Sequence, residues 1–103
     1  MKTTLWVASL LATLAQPSLA GPDETLSKAG CLACHAQDKK VLGPSFKDIA
    51  AKYRGQKDAA AQLTDKVRKG GKGNWGPIPM PPSGPDKLSD AELRTAVEFI
   101  LAQ

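Results

Sequence analysis

Residues 31–35 read Cys-Leu-Ala-Cys-His, and His35 is the only histidine in the chain. C-x-x-C-H is the attachment sequence for c-type haem. The spacing has a mechanical logic. The thiols of Cys31 and Cys34 add to the two vinyl groups of the porphyrin as thioethers, and the adjacent His35 is carried beneath the iron to ligate it. Two other chemistries use the same residue types. A thioredoxin-like C-x-x-C needs a βαβ context, and no such pattern is visible. A tetrahedral zinc site needs about four ligands. With Cys31, Cys34 and His35 consumed, no further Cys or His exists to complete it.

Histidine ligation leaves the other face of an iron open, which directs attention to Trp75–Pro85, "WGPIPMPPSGP". Five of the chain's eight prolines fall there, around Met80, one of two methionines. The other is Met1. If the iron takes a sixth protein ligand, Met80 is the leading candidate by elimination. A thioether favours ferrous iron and raises the reduction potential. Its bond to ferric iron is weak, so the backbone must hold the sulfur in place. Pro77, Pro79, Pro81 and Pro82 lower the conformational entropy of the free loop. The bland alternative, a packing methionine in a surface loop, leaves the prolines unexplained.

These residues need a frame, and the composition limits what it can be. A positive start at Met1-Lys2, an apolar run from Leu5 to Leu14, and small residues at Ser18 and Ala20 read as an export signal, residues 1–20, cleaved after Ala20. The run is about half of the ~20 residues that a membrane span needs. Residues 21–103 then form one domain, soluble and exported, in a Gram-negative cell to the periplasm. Lys2 leaves with the signal, so 14 basic residues become 13 against 10 acidic ones, a balance of +3. That mild excess, with few aromatics, does not argue for nucleic acid. A domain this small has a thin core and calls for a staple. A disulfide between two cysteines so close in sequence would close only a tiny loop, so the stabiliser is expected to be the haem itself.

Four helices are expected. The first runs from about Asp23 to Gly30, with acids at its positive end. The second, Phe46 to Tyr53, follows a capping Ser45 with Asp48 at the box position, and Gly55 stops it. The third covers about Asp58 to Lys69, with Ala60, Leu63 and Val67 on one face and Gly70 after it. The fourth begins at a Ser89/Glu92 capping box, and Leu93, Ala96, Val97, Ile100 and Leu101 fall at helical spacing. No strand pattern appears. The long connections, Cys31–Pro44 and Gly70–Lys87, are rich in Gly and Pro, and connections that long in a small domain tend to be functional or ligand-packed.

Taken together, "GCLACH", "GPSFKDIAAKY", "WGPIPMPP" and the final amphipathic helix resemble the class I c-type cytochromes, in particular the short bacterial cytochrome c-551 (cytochrome c8) group, over essentially the whole exported chain. The resemblance implies an all-α class I cytochrome c fold, about four helices wrapped around one covalently bound haem c. His35 and Met80 would be the axial iron ligands, and Cys31 and Cys34 the covalent attachment. The first and last helices would cross near Gly30, with Phe99 packed against it. Pro44 would offer its backbone carbonyl to Nδ1–H of His35, fixing the ring and its donor strength. Trp75 would direct its indole N–H to a haem propionate. Lys66 stands where relatives often carry an arginine near a propionate, keeping the charge without the fork. Ser83 stands where relatives often have an asparagine bonded to the methionine sulfur.

The function so implied is one-electron transfer between respiratory complexes by a monomer that is not an enzyme. A quinol-oxidising complex would be the donor, and a terminal oxidase or haem nitrite reductase the acceptor. Electrons would cross at an exposed edge bordered by Leu32, Ala33, Gly43, Pro44, Ile78 and Pro79. Lys28, Lys39, Lys40, Lys69 and Lys72 are candidate steering charges or simply solubilising ones. Two further classes remain. A five-coordinate haem protein would bind small gases or reduce peroxide, against which stand the single histidine and a Met80 loop without carboxylates before Asp86. A haem-free helical module is the third.

Overall fold

The computed structural model describes residues 21–103, and the expected export signal lies outside the described residues. Four α-helices run in chain order: α1 Pro22–Lys28, α2 Phe46–Tyr53, α3 Ala59–Lys69 and α4 Asp90–Leu101. The architecture is all-α, as expected. Among the described residues the only β-type pairings are two isolated bridges, His35 with Lys40 and Gly71 with Met80.

Helix α4 is the centre of the packing, with α1, α2 and α3 each laid against it. Its apolar stripe explains why. Leu93, Ala96, Val97 and Ile100 are buried on one face, the period of 3.6 residues that a core-facing helix requires. Leu93 and Val97 are each only 1% exposed, as is Leu26 from α1. Burial on that scale stabilises by about 1.5–3 kcal/mol per side chain. The helix start is fixed by a complete capping box. The Ser89 hydroxyl accepts from Glu92 N–H at 3.2 Å, and the Glu92 carboxylate accepts from Ser89 N–H at 3.1 Å. At α2 the cap is half as elaborate, with the Ser45 hydroxyl accepting from Asp48 N–H at 3.0 Å.

The boundaries expected from sequence hold for α2 and α4 and shift elsewhere. Helix α1 begins with Pro22, whose missing N–H is harmless in a first turn, and it ends at Lys28. Gly30 is left-handed at φ 82°. A Cβ there would meet nothing within 4 Å, so no ring of Phe99 is seated where its side chain would lie. Glycine is needed at that position for the backbone turn and not for a close approach. Cys31–Ala33 then form a single 3₁₀ turn inside the connection expected to be irregular. On α3 the buried face is Ala59 and Leu63, with Val67 partly buried against the core, while Ala60 is exposed. Spacings of i, i+4, i+8 and i, i+3, i+7 are one residue apart at the helix start, and packing chose the former.

Candidate functional site

The 3₁₀ turn carries Cys31, and its hydrogen bonds bring Cys34 and His35 back over it. Both N–H groups donate to the Cys31 carbonyl, at 3.1 and 2.9 Å. The five-residue motif is therefore a tight coil. The next turn returns at once, as Gly43 N–H donates to the Cys34 carbonyl at 2.8 Å. That return lets Pro44 reach the histidine. Nδ1 of His35 lies 2.7 Å from the Pro44 carbonyl oxygen. A carbonyl can only accept, so Nδ1 carries a proton, and in the neutral ring Nε2 then keeps a free lone pair.

The ring has little freedom besides. It stacks on Phe46, with centroids 5.6 Å apart and planes 21° from parallel. A Cβ on Gly43 would come 2.6 Å from His35 Cε1. Phe46 is itself 3% exposed and tied into the connection, its N–H donating to the Ala36 carbonyl at 2.9 Å.

Met80 arrives from the other long connection. Its N–H donates to the Gly71 carbonyl at 2.8 Å, and Gly71 N–H donates to the Met80 carbonyl at 3.0 Å. This two-bond bridge fastens the methionine to the residues just past α3. Gly70 makes the approach possible. A Cβ there would overlap the Met80 carbonyl oxygen and lie 2.8 Å from Pro82 N. The proline segment is thus pressed directly against the glycine pair.

Cys31, Cys34, His35 and Met80 all line one cleft, together with Leu42, Pro44, Trp75 and Ile78. The cleft holds about 1040 Å³ of empty space, part of it open to solvent. Clefts that take small molecules and cofactors run to roughly 300–1,000 Å³. Six members of the hydrophobic core, Phe46, Ile49, Tyr53, Leu63, Val97 and Ile100, also form its wall. An apolar occupant of porphyrin size would therefore complete the core. Its only charged lining residues, among those described, are Lys66 and Lys72. That sign complements two propionates. Burial pushes the Cys31 thiol pKa up, away from the low values of redox-active C-x-x-C thiolates. The donor set, the apolar wall and the cationic margin all fit a covalently attached haem.

The remaining residues singled out from the sequence divide. Trp75 lines the cleft but is 40% exposed, and Lys52 Nζ sits over its ring at 4.5 Å from the centroid. Ser83 is not among the lining residues. Its backbone is engaged instead, with N–H donating to the Val67 carbonyl at 2.9 Å. Of the exposed large apolar side chains, Leu42 and Ile78 line the cleft and are 52% and 55% exposed, while Leu32 and Val41 are 46% and 45% exposed; periodicity did not flag Val41 and Leu42. Sequence reasoning also missed Gly43 and Gly70 as space-makers. The one available signal was the Gly70-Gly71 doublet, since a helix stop needs only one glycine.

Comparison with known proteins points to a family. A family model described as cytochrome C oxidase, cbb3-type, subunit III matches residues 20–100. The chain is 48% identical to cytochrome c-551 of Pseudomonas aeruginosa over 99 residues, 92% of each chain. The crystal structure of Nitrosomonas europaea cytochrome c552 superposes with a TM-score of 0.71 at 44% identity, covering 78% of this chain and 96% of that one. The Class 1 cytochrome MtoD of Sideroxydans lithotrophicus superposes with a TM-score of 0.70 at 32% identity, over 79% of this chain and 90% of MtoD.

Proposed function

The chain belongs to the small class I c-type cytochromes, electron carriers that hold haem c covalently, and from that premise we propose that it carries single electrons through one haem bound between His35 and Met80. When bound, the group supplies an iron that passes between ferric and ferrous states one electron at a time. The chain does the rest. Cys31 and Cys34 anchor the porphyrin edge. The Pro44 carbonyl holds His35 in the tautomer that presents Nε2 as a donor. The Gly71 bridge and the prolines hold the Met80 thioether, a neutral ligand that favours the reduced state. The apolar wall keeps water away and so limits reorganisation when charge changes. The observation that carries this reading is that the motif cysteines, the only histidine and Met80 line the same cleft.

The exposed side chains of Leu32, Leu42 and Ile78 are the proposed contact with redox partners, with exposed Lys39, Lys40 and Lys72 as the proposed steering charges. A small apolar patch with a charged margin suits the brief encounters of electron-transfer pairs, which bury less than about 1,200 Å². The chemistry proposed for the partners is a quinol-oxidising complex as donor and an oxidase or haem nitrite reductase as acceptor, with the carrier a monomer in the periplasm. No helix among the described residues is long and apolar enough to cross a membrane.

Met80→Ala tests the ligand pair. The expected result is a reduction potential well below that of the unmodified protein, with carbon monoxide now binding the reduced form. An unchanged potential removes Met80 from the iron, and carbon monoxide binding to the unmodified reduced protein makes it a gas or peroxide site instead.

A further inference from the structure

Helix α3 ends in three basic residues, Lys66, Arg68 and Lys69. Lys69 is 74% exposed and pairs with Asp65 one turn back at 2.9 Å, an ordinary surface arrangement. Arg68 is different. Its side chain is 19% exposed, and its guanidinium crosses to the strap that leaves Met80. Nη1 donates to the Ser83 carbonyl at 3.2 Å and to the Leu88 carbonyl at 2.7 Å. Nη2 donates to the Asp90 carboxylate at 2.6 Å, at the first residue of α4.

The two carbonyls bracket the segment that joins the methionine loop to α4. Ser83 is three residues past Met80, and its N–H already donates to the Val67 carbonyl. Its peptide groups are therefore gripped from both sides by consecutive residues of α3. Leu88, at the far end, is 2% exposed and plugs the core. Upstream, the Gly71 bridge fixes Met80 itself. Gly71 follows Arg68 by three residues, so one helix end controls both flanks of the methionine. The Ser83 side chain, by contrast, does not line the cleft.

We propose that Arg68 is a positioning residue for Met80: its guanidinium, bonded to the Ser83 and Leu88 carbonyls, holds the exit of the methionine loop so that the sulfur stays on the iron. The inference rests on the reading of Met80 as an iron ligand. Its geometry needs a planar fork with several donors, which lysine lacks. The Asp90 contact contributes little, because that carboxylate is 93% exposed and surface pairs are weak. The carbonyl bonds matter, since a charged donor to a part-buried acceptor is among the stronger protein hydrogen bonds.

The test is a titration of the oxidised haem-bound protein with imidazole, which competes with the methionine. It is followed by loss of the weak far-red absorption band of a methionine–ferric-iron bond. Arg68→Ala is expected to bind imidazole at least about tenfold more tightly than the unmodified protein. Arg68→Lys should fall between them, and Asp90→Asn should stay within about twofold of the unmodified protein. Ala91→Gly, an exposed change in α4, serves as a control for general weakening. If Arg68→Ala binds imidazole no more tightly than Ala91→Gly does, the inference is overturned. Should Arg68→Ala fail to mature, Arg68→Lys carries the same comparison against the same control. Absence of the far-red band from the unmodified protein would instead overturn the Met80 reading, and the inference with it.

Discussion

Gly43 shows how closely the histidine is fitted. Its missing side chain leaves room for His35 Cε1, which a Cβ would approach to 2.6 Å. Gly43→Ala should therefore displace the imidazole from its bond to Pro44. Overpacking of this kind costs about 1–3 kcal/mol. The expected outcome is a lower melting temperature of the haem-bound protein together with a shifted reduction potential; a variant with neither change would show that the ring is less constrained. At this scale the cysteines, His35 and Met80 were legible as candidates through a local motif and elimination, and all four line the same cleft. The Pro44 carbonyl was visible only through the family resemblance. Gly43, Gly70 and Arg68 were not visible, because their roles depend on crowding and hydrogen bonds between residues distant in sequence. No pattern in the chain announces that α3 ends against the proline strap.

Among the elements, α4 carries the clearest signal and the clearest test. Ser89→Ala removes the hydroxyl that accepts from Glu92 N–H, and loss of such a cap costs about 1 kcal/mol. Denaturant unfolding of the haem-bound protein measures it, and a midpoint unchanged from the unmodified protein would mean that the cap is not limiting. The Glu92 partner adds a pH dependence. Its pKa is lowered, chiefly by the hydrogen bond from Ser89 N–H. A carboxylate whose pKa is depressed in the folded state contributes stability that is complete above its ordinary unfolded value. That contribution is lost as the pH falls through the lower folded value. The stability advantage of the unmodified protein over Glu92→Gln should thus be greatest near neutrality and shrink in acid. A gap that widens in acid would contradict the sign. Helices α2 and α4 were readable because caps and apolar spacing agreed. The end of α1 was not, because Gly30 was taken for helix and close packing when its backbone angle made it the break. The 3₁₀ turn was missed because three residues are too few for periodicity to register.

For the molecule as a whole, the cleft and the core share part of their walls. Phe46, Ile49, Tyr53, Leu63, Val97 and Ile100 belong to both. Small domains rarely fold on so thin a core without a staple, and here the cleft that would hold it is walled by the core itself. Cys31→Ala combined with Cys34→Ala should leave a chain with little helix by circular dichroism and no cooperative melting. A sharp thermal transition in that haem-free variant would show that the polypeptide core is sufficient alone. The all-α character was legible at this scale in four helical segments and the lack of a strand pattern, whereas the class I cytochrome c fold came from the family resemblance. The cleft wall was legible only in part: Leu63, Val97 and Ile100 lie on faces that the spacing marked, while Phe46, Ile49 and Tyr53 were not singled out as wall.

The most direct test is the absorption spectrum of the purified, matured protein in both oxidation states, with and without carbon monoxide. The account predicts a c-type haem that stays with the denatured chain, a far-red band in the oxidised protein, and a reduced spectrum that carbon monoxide leaves unchanged. A colourless protein, or one whose oxidised form lacks that band while its reduced form takes up carbon monoxide rapidly, would contradict it.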